Sequence, residues 1–269
     1  MPSIDQNLDV WTNYDWPQQG DEWSSRWGGT EVLWWGSLYP RIHTFLPTST
    51  VLEIAPGFGR FTHYLKDVCD RLVAVDIAER CVAHCKERFA DSPSLEFHVN
   101  DGKSLAMIED NSIDFVFSFD SLVHAEADVL RAYLHQLSRK LRPDGVGFIH
   151  HSNLGVLSNP LTKRIPVVRE VIRRGWRAET MTAKLFRKYC AEAGLKCVGQ
   201  ELINWDWEVK HAPPIPRDCF SLFTKSHSRW DRVPVFKWNL RFMSEARYFA
   251  KISNLYSPST FNSRAKEGV

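Results

Sequence analysis

The run Val51-Leu52-Glu53-Ile54-Ala55-Pro56-Gly57-Phe58-Gly59 carries a short apolar stretch into a glycine-bearing turn and then straight into a helical pattern. Gly57 and Gly59 leave backbone N–H groups open to a bulky ligand, because a Cβ at either position would fill that space or demand an unfavourable dihedral. Two glycines alone also suit a tight strand-to-helix turn with no ligand. Asp76, however, follows Gly59 by 17 residues at the end of a second strand-like run. Its two carboxylate oxygens can accept both hydroxyl protons of a ribose, so turn and acid together point to a ligand of adenosine type. A dinucleotide usually meets G-x-G-x-x-G, whereas Thr62 stands at the third glycine position, and a pyrophosphate is disfavoured. Glu53 either caps the turn or reaches a cationic amino-acid portion through ordered water, since its charge favours ammonium or sulfonium over diphosphate. Asp101, in Asn100-Asp101-Gly102, suits the exocyclic amino group of adenine and equally suits capping the helix that follows.

A second set of chemistry-bearing residues is Asp120, His124, His150 and His151. An imidazole near neutral pKa can take the proton of an attacking hydroxyl. His124 is the first choice, with Asp120 four residues earlier able to orient it or share a substrate hydroxyl; a turn cap and a solvent-facing histidine is the plainer reading of the pair. His150 and His151 are adjacent on one strand-like run, so the two-residue period turns them to opposite faces of a sheet. Asp120, Glu126 and one histidine could bind a divalent metal such as Mg2+, but a tight run of metal carboxylates is lacking and a required metal is not favoured.

The elements that must position these groups alternate. VLEIA, RLVAVD, LEFHVN, SIDFVFSFDSL and VGFIHHS read as strands, and RFTHYLKDV, AERCVAHCKERFA and EADVLRAYLHQLSRKL as helices, the last closed by an RPDG turn. Such continuous apolar runs joined by helices specify a doubly wound α/β sheet, mostly parallel and covered on both faces, with right-handed crossovers. TAKLFRKYCAEAGL adds a helix, and LKCVGQELI with CFSLFTK closes a seven-stranded sheet as an antiparallel pair. This core spans residues 49–226. Residues 1–48 form an aromatic N-terminal arm that holds Trp11, Trp16, Trp23, Trp27, Trp34 and Trp35, six of the eleven tryptophans. An insertion at 156–179, longer than a usual connection, is a candidate lid. Residues 227–269 form a C-terminal cap or interface segment in which Phe242, Met243, Ala246, Phe249 and Ile252 trace an amphipathic helix; the final FNSRAKEGV has little to bury.

The 269 residues are 43% hydrophobic and 25% charged with a formal charge of +2, which excludes wholesale disorder and gives no global case for a nucleic-acid binder. Six cysteines without a regular framework read as buried, reduced thiols in the cytoplasm. No signal peptide or transmembrane stretch is apparent. The insertion sets Lys163, Arg164, Arg169, Arg173, Arg174 and Arg177 against Glu170; it reads as a solvated face by default, and it would also suit an anionic or lipid-linked acceptor.

VLEIAPGFG, VAVD and NDG together resemble the motifs of class I S-adenosylmethionine-dependent methyltransferases over residues 49–155, with Ala55 in place of a common first glycine. FSFDSLVHAEADV, LSRKLRPDG and FIHHSN look like bacterial methyltransferases that modify glycans or polysaccharides. The resemblance implies a Rossmann-like sheet, S-adenosyl-L-methionine as cofactor, Glu53, Ala55, Gly57 and Gly59 on its methionine side, Asp76 at its ribose and Asp101 at its adenine, with Ile77, Gly102 and Phe119 as further cofactor-binding residues. It implies O-methylation of a sugar or oligosaccharide hydroxyl, for which the residues themselves offer His124 as base with Asp120, His150 and His151 as further catalytic candidates. Two other readings are a methyltransferase of a small non-sugar acceptor and a non-catalytic cofactor-binding module; the partners expected are the sugar acceptor and, through the C-terminal helix, a second copy in a homodimer.

Overall fold

The computed structural model describes residues 2–158, 160–205 and 216–256, apart from the side chains of 167, 171 and 173–175. Its sheet contains β1 (Thr48–Ile54), β2 (Cys69–Asp76), β3 (Leu95–Val99), β4 (Ile113–Ser118), β5 (Leu141–Ser152), β6 (Leu195–Ile203), β7 (Asp218–Lys225) and β8 (Val235–Asn239). Their spatial order is β3-β2-β1-β4-β5-β7-β6-β8. The first five strands pair in parallel, β7 runs antiparallel to β5 and β6, and β8 lies parallel to β6. The seven strands expected from the sequence are therefore joined by an eighth. Val235, Phe236, Lys237 and Trp238 are all exposed, so this edge strand lacks the buried-exposed alternation that marks a strand in sequence. The RPDG segment, expected as a turn, is drawn into the start of β5, where the register shifts between the Ile113 and Phe115 pairs.

Nine α-helices surround the sheet: α1 (Ile4–Asn13), α2 (Thr30–Leu33), α3 (Tyr39–Ile42), α4 (Thr62–Leu65), α5 (Glu79–Arg88), α6 (Ala127–Lys140), α7 (Pro166–Gly175), α8 (Ala183–Glu192) and α9 (Phe242–Tyr256), counted among the described residues. None is long and apolar enough to cross a membrane. Strand alternation sorts the core into two layers. Val51, Phe115, Phe117, Phe148 and Phe220 pack in one layer with Trp27, Leu33, Trp34, Leu38 and Ile42 of the arm. Leu52, Val116, Ile149 and Phe223 face the other way, onto Leu130, Leu134 and Phe186 of α6 and α8.

The arm is thus part of the core. Trp27 and Trp34 are fully buried, and each such side chain contributes roughly 1.5–3 kcal/mol of apolar burial or more. Phe242, Met243 and Ala246 of α9 join the same layer, whereas Ile252, placed on the apolar stripe by its spacing, is 37% exposed. The terminal FNSRAKEGV lies outside the described residues. Gly147 in β5 shows how closely the sheet is covered: a Cβ there would lie 2.1 Å from Cζ of Phe223. Gly147→Ala is expected to lower unfolding stability in urea by about 1–3 kcal/mol through overpacking, and Phe223→Leu in the same chain to restore part of it. An alanine variant as stable as the parent would contradict this packing.

Candidate functional site

The carboxyl ends of β1, β2, β4 and β5 share one edge, the place where open α/β sheets hold ligands. A cavity of about 1050 Å³ opens there, lined on one side by Ala55, Pro56, Gly57, Asp76, Ile77, Asn100 and Gly102. Asp76 is buried at the end of β2 and accepts N–H groups from Gly57 at 3.1 Å and Ala78 at 2.9 Å. Burial pushes its carboxyl up to about 6 despite these bonds. Ala55 takes a left-handed φ of +58° and is pinned there by its N–H to Val75 O at 2.7 Å and by Ser121 Oγ on its carbonyl at 2.8 Å.

Two of the expected cofactor residues serve this loop from behind. Glu53 is buried, accepts the Thr62 hydroxyl at 2.6 Å and is pushed up to about 7, chiefly by burial and opposed by that hydrogen bond. Gly59 has φ +83°, and a Cβ there would lie 2.5 Å from the Phe89 ring, so its bareness serves packing. Neither residue lines the cavity. Asp101 is exposed and accepts the N–H groups of Lys103 at 2.9 Å and Ser104 at 2.6 Å, the capping arrangement; its neighbours Asn100 and Gly102 face the cavity instead. Phe119 is buried among Phe61, His150, Trp205 and Phe220.

The opposite side of the cavity brings together Asp120, His124, Arg60, Trp176 and Arg177. Asp120 sits at φ +62°, a region that aspartate enters more readily than most residues. Its carboxylate meets Arg60 Nη2 at 3.2 Å, and its backbone N–H donates to His150 Nδ1 at 3.1 Å. His124 is buried, and its Nδ1 is bonded to the Trp176 carbonyl. A carbonyl only accepts, so Nδ1 carries the proton and Nε2 keeps a lone pair. Burial, then the Arg177 charge, pushes this imidazole down to about 4.

His150 and His151 do face opposite layers. His150 stacks on Trp205 behind the cavity floor at 5.3 Å. His151 is turned away from the cavity: its Nδ1 is 2.8 Å from Ser152 O, its Nε2 is 2.8 Å from Ser221 Oγ, and its ring stacks on Phe186 at 4.5 Å. It is not brought within reach of an acceptor. Glu126 receives N–H groups from Glu179 and Thr180 and ties the insertion to α6. Among the described residues no three His, Cys, Asp or Glu side chains form a metal-binding group.

The arm roofs the cavity. Ser3 and Gln6 start α1 with a capping box, and Asn7 Nδ2 donates to the His124 carbonyl at 3.1 Å. Trp11 lies 5.4 Å from the His124 ring and 5.5 Å from Trp176. Trp16 stacks on Phe58 at 4.6 Å and lies so close to Gly57 that a Cβ on the glycine would be 2.6 Å from its ring. Sequence reasoning passed over Arg60, Trp205 and Asp218, and took Arg177 for a surface charge. The sole hint was a charged residue beside an apolar strand, Asp218 ahead of CFSLF. Lys163 pairs with Glu179 at 2.7 Å, and Arg164 and Arg169 are exposed; the side chains of Arg173 and Arg174 lie outside the described residues.

Residues 51–145 match a family described as a methyltransferase domain. The chain is 30% identical over 118 residues to phosphoethanolamine N-methyltransferase 1 of Triticum aestivum, covering 42% of this chain and 24% of that one. It is 26% identical over 100 residues to nodulation protein S of Sinorhizobium fredii, covering 37% and 45%. The chain thus spans less than half the length of either curated relative. The solved PH0226 protein of Pyrococcus horikoshii superposes with a TM-score of 0.53 at 22% identity, covering 80% of this chain and 95% of that one. The fold is that of class I S-adenosylmethionine-dependent methyltransferases, and S-adenosylmethionine is the cofactor that goes with it. Gly57, Asp76, Ile77, Asn100 and Gly102 fit this group: a bare turn and a buried carboxylate face one cavity.

The His124 environment has a measurable consequence. An unfolded histidine titrates near about 6.5, so between that pH and about 4 the unfolded chain binds the extra proton. His124 therefore contributes stability above pH ~6.5 that is lost as pH falls toward 4. Asp76, raised to about 6, runs the other way and lowers stability as pH rises through that value. NMR titration is expected to show the His124 ring neutral down to about pH 4, and His124→Gln to flatten the acid side of the stability curve. A midpoint near about 6.5 would show a solvated ring.

Proposed function

We propose that this chain is an S-adenosylmethionine-dependent methyltransferase whose acceptor is a small molecule held beside His124. The observation that carries the reading is the fixed tautomer of His124, a neutral imidazole with its unprotonated Nε2 in a residue that lines the same cavity as Gly57 and Asp76. S-adenosylmethionine, when bound, supplies a methyl carbon activated by its positive sulfur. Gly57, Ile77 and Gly102 would hold it by close approach, with Asp76 accepting its ribose hydroxyls. His124 Nε2, unprotonated at neutral pH, would accept the acceptor's proton as the acceptor–carbon bond forms and the carbon–sulfur bond breaks, leaving a neutral thioether. Trp11, Trp16 and Trp176 exclude water, which would otherwise compete for the methyl group.

An amine nitrogen is the acceptor atom favoured, and it is supported by the wheat relative, which is named an N-methyltransferase. A sugar hydroxyl is the second reading, favoured by tryptophan faces around the cavity that can stack on pyranose rings. The test is transfer of labelled methyl from S-adenosylmethionine to panels of small amines and of mono- and oligosaccharides, with products mapped by mass spectrometry. Methylated amine is the expected product, and His124→Gln is expected to lower the rate about 10²-fold with cofactor affinity unchanged. Methylation of sugar oxygens would select the second reading. Cofactor binding without transfer to either panel would leave a binding module, and an unaltered rate in His124→Gln would remove the base.

A further inference from the structure

Charged groups at the cavity wall and behind it close into a ring. Asp120 donates its backbone N–H to His150 Nδ1 at 3.1 Å, which leaves the ring proton on Nε2. His150 Nε2 stands 3.5 Å from Asp218 Oδ2. Arg177 Nε donates to Asp218 Oδ2 at 2.9 Å, and Arg177 Nη2 returns to the Asp120 carboxylate at 3.8 Å. Asp218 and His150 are fully buried, and Arg177 is 5% exposed. Burial pushes the Asp218 carboxyl up, but Arg177 and His150 outweigh it and hold the group well below the usual carboxylate range.

A buried ion pair is weak evidence of stabilisation, because apolar residues of similar volume often do as well or better. What these charges hold gives them another use. The peptide units on either side of Arg177 grip the segment of the candidate base: the Trp176 carbonyl accepts from His124 Nδ1, and the Ala178 N–H donates to Val123 O at 2.9 Å. The Arg177 side chain, between them, is anchored on β7 by Asp218. Asp218 faces Ser152 across the β5–β7 pair, at the edge where the cavity opens.

We infer that Asp218 is a positioning residue for methyl transfer: it fixes Arg177, and through it the Trp176 carbonyl that sets the tautomer and direction of His124. Asp218 is not among the residues that line the cavity, so it acts at one remove, as the orienting carboxylates of other imidazole bases do. A planar guanidinium suits this task better than an ammonium, since its donors have fixed directions. The inference rests on the reading of His124 as the base.

The experiment compares Asp218→Asn with the parent chain, both with His124 intact and in a His124→Gln background, in three measurements. Histidine-selective NMR reads the His124 tautomer, calorimetry reads S-adenosylmethionine affinity, and labelled methyl transfer reads the rate. Asp218→Asn is expected to leave cofactor affinity within about twofold, as for uncoupled sites. It is expected to erode the Nδ1–H tautomer and lower kcat by about 10²-fold. In the His124→Gln background the same substitution is expected to change the rate by no more than about twofold, because its target is gone. A parental tautomer in Asp218→Asn, or an equal loss of rate in both backgrounds, would overturn the inference. Should Asp218→Asn fail to fold, Arg177→Lys keeps the charge, removes the fork and is read in the same way. The tautomer needs no turnover to observe, so an unaltered rate in His124→Gln would refute the base while the NMR arm still tested the hold of Asp218 on His124.

Discussion

The hydrogen bond from the Gly57 N–H to the buried Asp76 carboxylate joins the turn after β1 to the end of β2, and the candidate site is organised around that junction. A carboxylate at this depth is costly unless its oxygens are engaged, and here Gly57 and Ala78 engage one oxygen each. The same contacts hold Gly57 in its left-handed conformation and present Ala55, Pro56 and Gly57 to the cavity. Behind them Glu53 and Thr62 tie the turn to α4, and Gly59 admits the Phe89 ring. The turn is therefore tied to β2 and α4 and packed against Phe89, which suits a site that recognises by close approach.

The other side of the cavity depends on longer connections. The arm reaches from α1 to the His124 carbonyl through Asn7 and to α5 through Arg80, whose Nη1 donates to the carbonyls of Thr12 and Tyr14 at 3.0 and 2.8 Å. The insertion returns to the sheet through Arg177 and to α6 through Glu126. Two decorations of the core thus meet over one histidine, as the 5.5 Å approach of Trp11 to Trp176 records. The segments that roof the cavity also hold His124, which would couple water exclusion to its placing.

Local order was legible in the sequence wherever it had a local cause. Strand, turn and acid from Val51 to Asp76 are written in apolar runs and glycines, and the opposite facing of His150 and His151 follows from the pleat. Which of the two turns toward the cavity does not follow, because the answer lies in what covers each layer, Trp205 on one and Phe186 on the other. Asp101 carried two readings that spacing could not separate, and the structure shows it bonded to its own loop. Arg177 and Asp218 were beyond reach for a different reason: they are 41 residues apart, and only the antiparallel pairing of β7 with β5 brings them together. β8 went unread because an exposed edge strand has no buried face to betray it.

Calorimetry on the folded chain tests most directly whether Gly57 and Asp76 receive S-adenosylmethionine as proposed. Saturable binding of S-adenosylmethionine and of its demethylated product is the predicted result, weakened about tenfold or more in Asp76→Asn, as befits loss of a charged hydrogen-bond acceptor. No heat from either ligand, or equal affinity in the parent and Asp76→Asn, would contradict it.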